Sequence, residues 1–135
     1  AVVAATLGTV IAGSANAFTI NSGNAAVTGD RLGLSNWSVN GVNQLASQQW
    51  WFNTDAGNGT AFNYELADYG AAPTETATAS NSSMLYNMMT ELGLTVQVDY
   101  SLSGGTNTST LNEGVTIQNN SGAAINFTLF QYTDF

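Results

Sequence analysis

The chain has no cysteine, no histidine and no lysine; Arg31 is its one cationic side chain and Pro73 its one proline. Without cysteine there is no disulfide, no thiolate nucleophile and no thiolate metal site. Without histidine there is no Ser-His-Asp triad, no imidazole acid–base group and no ordinary zinc site. The formal charge of −8 leaves no basic patch to neutralise phosphates, which argues against nucleic acid as a partner and disfavours anionic membrane surfaces. Enzymatic options shrink to paired carboxylates or oxygen-ligand metal chemistry, and we read the chain as a non-enzyme with no cofactor.

Charged residues make up only 7% of the 135 residues, against about a quarter in ordinary globular domains. Polarity comes instead from Asn, Ser, Thr and Gln, as in many exported β-rich proteins. With 44% apolar residues the chain can bury a modest core and is not a disordered tail.

The opening "AVVAATLGTVIAGSANAFTI" is small and apolar and closes on Ala15-Asn16-Ala17. This pattern reads as the apolar core of a secretory signal with an A-x-A cleavage site, placing residues 1–17 in a signal and Phe18 at the mature start. A buried core helix is the alternative, disfavoured by Gly8, Thr9 and Val10. Neither an initiator Met nor a basic n-region precedes the stretch, so a start cut upstream is expected.

Strand patterns dominate the rest. Residues 18–30 suit an edge strand or a loop. Trp37 and Val39 share one face of a strand, and Asn40-Gly41 is a strong turn signal. Over Gln48 to Asn53, Trp50 and Phe52 fall on one side and Trp51 on the other. Thr54 to Thr60 reads as a loop, and Ala71 to Ser83, with Pro73, as a flexible surface connection. One short helix is expected near 83–92: Met84, Leu85, Met88, Met89 and Leu92 form a stripe, Ser82 or Ser83 could cap it, and Gly93 could end it. The methionine-rich stripe suits core packing better than a sticky binding face.

In "LTVQVDYSLSG" Leu94, Val96, Val98, Tyr100 and Leu102 alternate with polar residues, the mark of a half-buried strand. Val115 and Ile117 carry a second strand. Ile125, Phe127 and Leu129 open a third, on which Phe130 and Tyr132 point the other way, implying a bulge or burial on both faces. Three successive antiparallel strands with a helix over them indicate an all-β antiparallel sandwich of jelly-roll type spanning 18–135. We expect it to be incomplete and to continue past Phe135, with Phe130 and Tyr132 less exposed in the whole protein.

Few residues suggest chemistry. Glu113 shares parity with Leu111, Val115 and Ile117 and would point inward, unless Gly114 makes a bulge that leaves it in solvent, the reading we favour. A glycosidase pair of Glu113 with Asp99 or Asp134 is undetermined in geometry, and Asp99 reads as a surface residue. Asp30, Asp55, Asp68 and Asp134 could ligate calcium, but no D-x-D-x-D-G loop is present, and no metal site is assigned. Trp51, with Gln49 and Asn53 beside it, could stack on sugar rings, or could be covered by another layer. Asn36, Asn58 and Asn126 lie in glycosylation sequons, which chance supplies in so Asn- and Thr-rich a chain.

The stretch "NWSVNGVNQLASQQWWF" and the segment "STLNEGVTIQNNSGAAINFTLFQYTDF" together resemble exported bacterial proteins that carry the PEP-CTERM sorting signal. The first is similar to that group's Trp strand and turn followed by Leu, Gln-Gln-Trp and further aromatics. The second is similar to its Leu-x-Glu-x-Val/Ile strand followed by Phe-x-Tyr-Ser/Thr-Asp-Phe. The similarity spans roughly Gly33 to Phe135 and carries no catalytic assignment. It implies placement at the surface of a Gram-negative bacterium or outside it, association with exopolysaccharide and biofilm, and sorting by exosortase. In that group a Pro-Glu-Pro motif, an apolar helix and a basic end follow, none of which stands in this sequence. Polysaccharide binding and self-association are the partner classes expected.

Overall fold

The computed structural model describes residues 17–55 and 63–135. The signal expected over 1–17 therefore lies outside the described residues except for Ala17, as do Asn58 and most of the loop after Thr54. Among the described residues no helix is long and apolar enough to cross a membrane.

Two antiparallel sheets face each other. The larger is built from β1 (Phe18–Ser22), β2 (Ala25–Asp30), β3 (Gly33–Val39), β4 (Val42–Leu45), β5 (Ser47–Thr54) and β6 (Tyr64–Glu65). The chain then crosses to the smaller sheet, formed by β7 (Thr74–Ala77), β8 (Asn81–Met88), β9 (Leu94–Gly104) and β10 (Ser109–Asn119), with the helical turn α1 (Met89–Leu92) between β8 and β9. Finally β11 (Phe127–Asp134) returns to the larger sheet and pairs with β5. The all-β sandwich read from the sequence is the fold observed.

The alternation in β9 holds residue by residue: Leu94, Val96, Val98, Tyr100 and Leu102 are buried and the polar residues between them are not. These side chains meet Phe18, Ile20, Ala25 and Val27 of the β1–β2 hairpin, which packs across β9. Tyr100 anchors the layer junction. Phe18 stacks on its ring at 5.4 Å, and its hydroxyl accepts a hydrogen bond from Trp50 Nε1 at 3.1 Å. Asn40 and Gly41 have φ of 51° and 77°, as the tight β3–β4 hairpin requires.

Four expectations need correction. Residues 18–30 are neither edge strand alone nor loop; they form a full hairpin with four buried apolar side chains. The segment 71–83 is not a loose connection: β7 and the start of β8 pair within it, and Pro73 is buried. The helix near 83–92 is confined to Met89–Leu92, because Ser82, Met84, Tyr86 and Met88 are buried at strand period and β8 pairs with both neighbours. Met84, Met88 and Leu92 sit four residues apart, a spacing that fits either period; Tyr86 fits only the strand. Ser82 and Ser83 are thus strand residues rather than caps, whereas Gly93 does close the turn, at φ 68° with its N–H donating to Met89 O.

The fourth concerns β11. It does not extend the β9–β10 sheet, and it is neither bulged nor buried on both faces. Its register with β5 runs unbroken from Phe127 opposite Thr54 to Asp134 opposite Ser47. Leu129 faces inward opposite Phe52, while Phe130 and Tyr132 point outward and are 38% and 56% exposed.

Candidate functional site

Strand β5 divides its side chains cleanly. Gln48, Trp50, Phe52 and Thr54 are buried between the sheets, and Gln49, Trp51 and Asn53 lie half-buried on the outer face. The β11 register sets Phe130 directly opposite Trp51, Tyr132 opposite Gln49 and Thr128 opposite Asn53. Directly opposed side chains in an antiparallel pair start about 5 Å apart, and Phe130 and Tyr132 are about 7 Å apart along their strand. Trp51, Phe130 and Tyr132 therefore make one aromatic strip across two strands, with amides at both ends. Asn53 Nδ2 donates to Asn63 Oδ1 at 3.3 Å on one flank.

On the other side of β5, Trp51 is opposite Glu65 of β6. One oxygen of Glu65, Oε1, is buried without a hydrogen-bond partner among the described residues. Loss of solvent, then the nearby Asp68 and Asp30 charges, push its carboxyl above the ordinary range; the Arg31 guanidinium pulls the other way. Arg31 itself donates to Ala67 O at 2.9 Å and lies 3.7 Å from Asp68.

Glu113 is not left in solvent by a bulge. The β9–β10 register passes through Glu113 opposite Tyr100 and Gly114 opposite Asp99 without a shift. Its half-buried carboxylate reaches across to the larger sheet, where Oε2 accepts from Gln48 Nε2 at 2.8 Å and from Gln131 Nε2 at 2.6 Å. Desolvation raises its pKa, and the two amide donors offset part of that rise. Asp99 lies on the opposite face of the same sheet, half-buried, where Gln97 Nε2 donates to both of its oxygens. On β11 it is Gln131, not Asp134, that meets Glu113. Neither carboxylate pair considered for a glycosidase is assembled, and Glu113 serves as a polar tie between the sheets.

The other acidic candidates are dispersed. Asp30 Oδ1 accepts from the Leu32 N–H, and Asp55 accepts from the backbone and side-chain amides of Asn126. Among the described residues no group of three acidic side chains is placed to hold a metal ion. Asn126, one of the sequon residues, is thus committed to Asp55.

The sequence pointed to Trp51, Gln49 and Asn53, and the structure places all three on one face. Phe130 and Tyr132 complete that face. Their parity was visible in the sequence, but only the pairing of β11 with β5 puts them beside Trp51. Gln48 and Gln131 carry no sequence signal for their role at Glu113.

Comparison with protein-family models, with curated proteins and with solved structures found no match to this chain.

Proposed function

We propose that this protein is a non-enzymatic, exported bacterial surface or matrix component that binds polysaccharide on the outer face of its larger sheet. The observation that carries this reading is the strip of Trp51, Phe130 and Tyr132 with Gln49 and Asn53 at its margins. Flat aromatic faces cover the C–H faces of sugar rings, and neighbouring amides supply donors and acceptors for hydroxyls. The absence of lysine and the formal charge of −8 favour neutral glycans over anionic ones. Surface or extracellular placement, and sorting by exosortase, rest on the resemblance to PEP-CTERM proteins.

Tryptophan fluorescence titrated with purified exopolysaccharides tests the reading. Trp50 is buried, and Trp37 packs against the core with its Nε1 donating to Ser109 Oγ, so a shift arising on the outer face is assigned to Trp51 by its loss in Trp51→Ala. Trp51→Ala and Tyr132→Ala should each weaken binding about tenfold, equivalent to ~1.4 kcal/mol. An unchanged affinity in both variants, or no response to any glycan, would sink it.

A second reading, strand addition between copies, draws on the open side of the sandwich. Val115 and Ile117 face the larger sheet yet stay 36% and 44% exposed, because β10 and β11 are both edge strands there. Sedimentation showing a mass that rises with concentration would support it; a constant monomer would rule it out.

A further inference from the structure

The outer face of the smaller sheet carries a groove of about 520 Å³ that crosses all four of its strands. Two registered rows of short side chains make its floor. One runs Thr76, Ser83, Asp99, Gly114; the other runs Asn81, Ser101, Asn112. Three strand spacings of about 4.8 Å give it a length of about 14 Å, the scale of an oligosaccharide rather than of one ring. The concavity has a local cause. Gly114 leaves the floor open beside Asp99, and a Cβ placed there would find only Asp99 Cβ, 4.0 Å away.

The lining selects a ligand class. Hydroxyls and amides of Ser, Thr and Asn offer both donors and acceptors, and Thr76, Ala77 and Thr78 line one end. The Asp99 carboxylate is held by Gln97 Nε2 at 2.9 and 3.0 Å and keeps lone pairs for further hydroxyl donors, with which it makes charge-assisted bonds. No cation lines the groove, while Asp99 and Glu113 both do, so an anionic ligand would meet uncompensated carboxylates. A purely apolar ligand would leave those polar groups without partners. A neutral polyol with C–H faces and hydroxyl edges suits the two rows of the floor.

We propose that this groove is a second, independent binding site for a neutral polysaccharide. It lies on the face of the sandwich opposite Trp51, Phe130 and Tyr132, so one molecule can hold two glycan chains at once and cross-link them. Only the cross-linking rests on the aromatic face being a glycan platform; the groove does not.

Native gels cast with dextran, galactomannan or mixed-linkage β-glucan, with alginate as the anionic comparison, provide the test. The wild-type protein should be retarded by at least one neutral polymer and not by alginate. The groove is altered by Asp99→Ala and Gly114→Thr, both surface changes on a regular strand, and the aromatic face by Trp51→Ala, with circular dichroism confirming the fold of each. Groove variants should lose about tenfold in affinity when Trp51→Ala is also present, and each single-face variant should bind but no longer make the polymer solution turbid. If Asp99→Ala and Gly114→Thr bind as their parents do in both backgrounds, the groove proposal is overturned while the aromatic face stands. If Trp51→Ala retains full affinity, the groove variants lose it, and not even the wild-type protein makes the polymer solution turbid, the groove stands and the aromatic reading falls. Retardation by alginate equal to that by neutral polymers, or by none of the four, overturns the groove proposal as well.

Discussion

Replacing Phe52 and Phe130 separately by alanine tests the sandwich through one strand pairing. Phe52 is fully buried and its ring lies 5.3 Å from Phe127, 5.6 Å from Tyr64 and 5.5 Å from Tyr69, stacked on the first and edge-on to the last. A phenylalanine side chain buries about 150–200 Å², worth about 4–5 kcal/mol at ~25 cal/mol/Å², of which alanine retains ~1. Phe52→Ala should therefore cost about 3–5 kcal/mol, as large-to-small aromatic changes in cores do. That is a large share of the ~5–15 kcal/mol that holds a domain of this size. Phe130 lies one position away in the facing strand's register but on the outer surface. Removing it loses only its cross-strand pairing with Trp51, about 0.2–1 kcal/mol. Urea unfolding followed by tryptophan fluorescence would separate the two by midpoint at equal slope. A slip of one residue between β5 and β11 would exchange the faces of every β11 side chain. If Phe130→Ala proved as costly as Phe52→Ala, the assigned register, and with it the aromatic strip, would be wrong.

Two further perturbations address the junctions between the sheets. Because desolvation raises the Glu113 pKa in the folded state, ionisation of this group opposes folding, so its contribution falls as pH rises from the unfolded value, about 4.3, through the folded one. Glu113→Gln should remove that slope, and the wild-type protein should gain on the variant in urea midpoint between pH 7 and pH 4; parallel profiles would refute it. Gly104→Ala would put a Cβ 1.8 Å from the Ser22 carbonyl oxygen, whereas Gly114→Ala meets nothing closer than 4.0 Å. The first should cost about 1–3 kcal/mol through overpacking and the second should be neutral or stabilising, so equal midpoints would show that the β1–β2 turn does not sit against β9 as described.

What the sequence disclosed depended on whether a local period had one interpretation. In β9 five apolar residues alternate with polar ones without a break, and only a half-buried strand satisfies that pattern. In β8 the methionines sit at a spacing common to both periods, so Tyr86 had to decide, and its burial depended on β7 and β9 pairing on either side. Trp51 was legible as a residue opposed to Trp50 and Phe52, but whether it faced solvent turned on β11, some eighty residues later. The carboxylate tie is harder still. Gln48 has inward parity in a strand whose other inward residues are aromatic or β-branched, which by itself argues against burying an amide there. It is buried because Glu113 arrives from the other sheet to accept its N–H, and Gln131 arrives from β11 to share the same oxygen. Gln48 in particular depends on the partnership: buried alone, its amide would forfeit its hydrogen bonds with water, whereas Gln131 joins from the exposed rim. Their joint arrangement, from buried Gln48 through half-buried Glu113 to exposed Gln131, is a property of two sheets meeting, and it follows that Glu113, the residue most suggestive of catalysis in the sequence, is better explained by what it holds together.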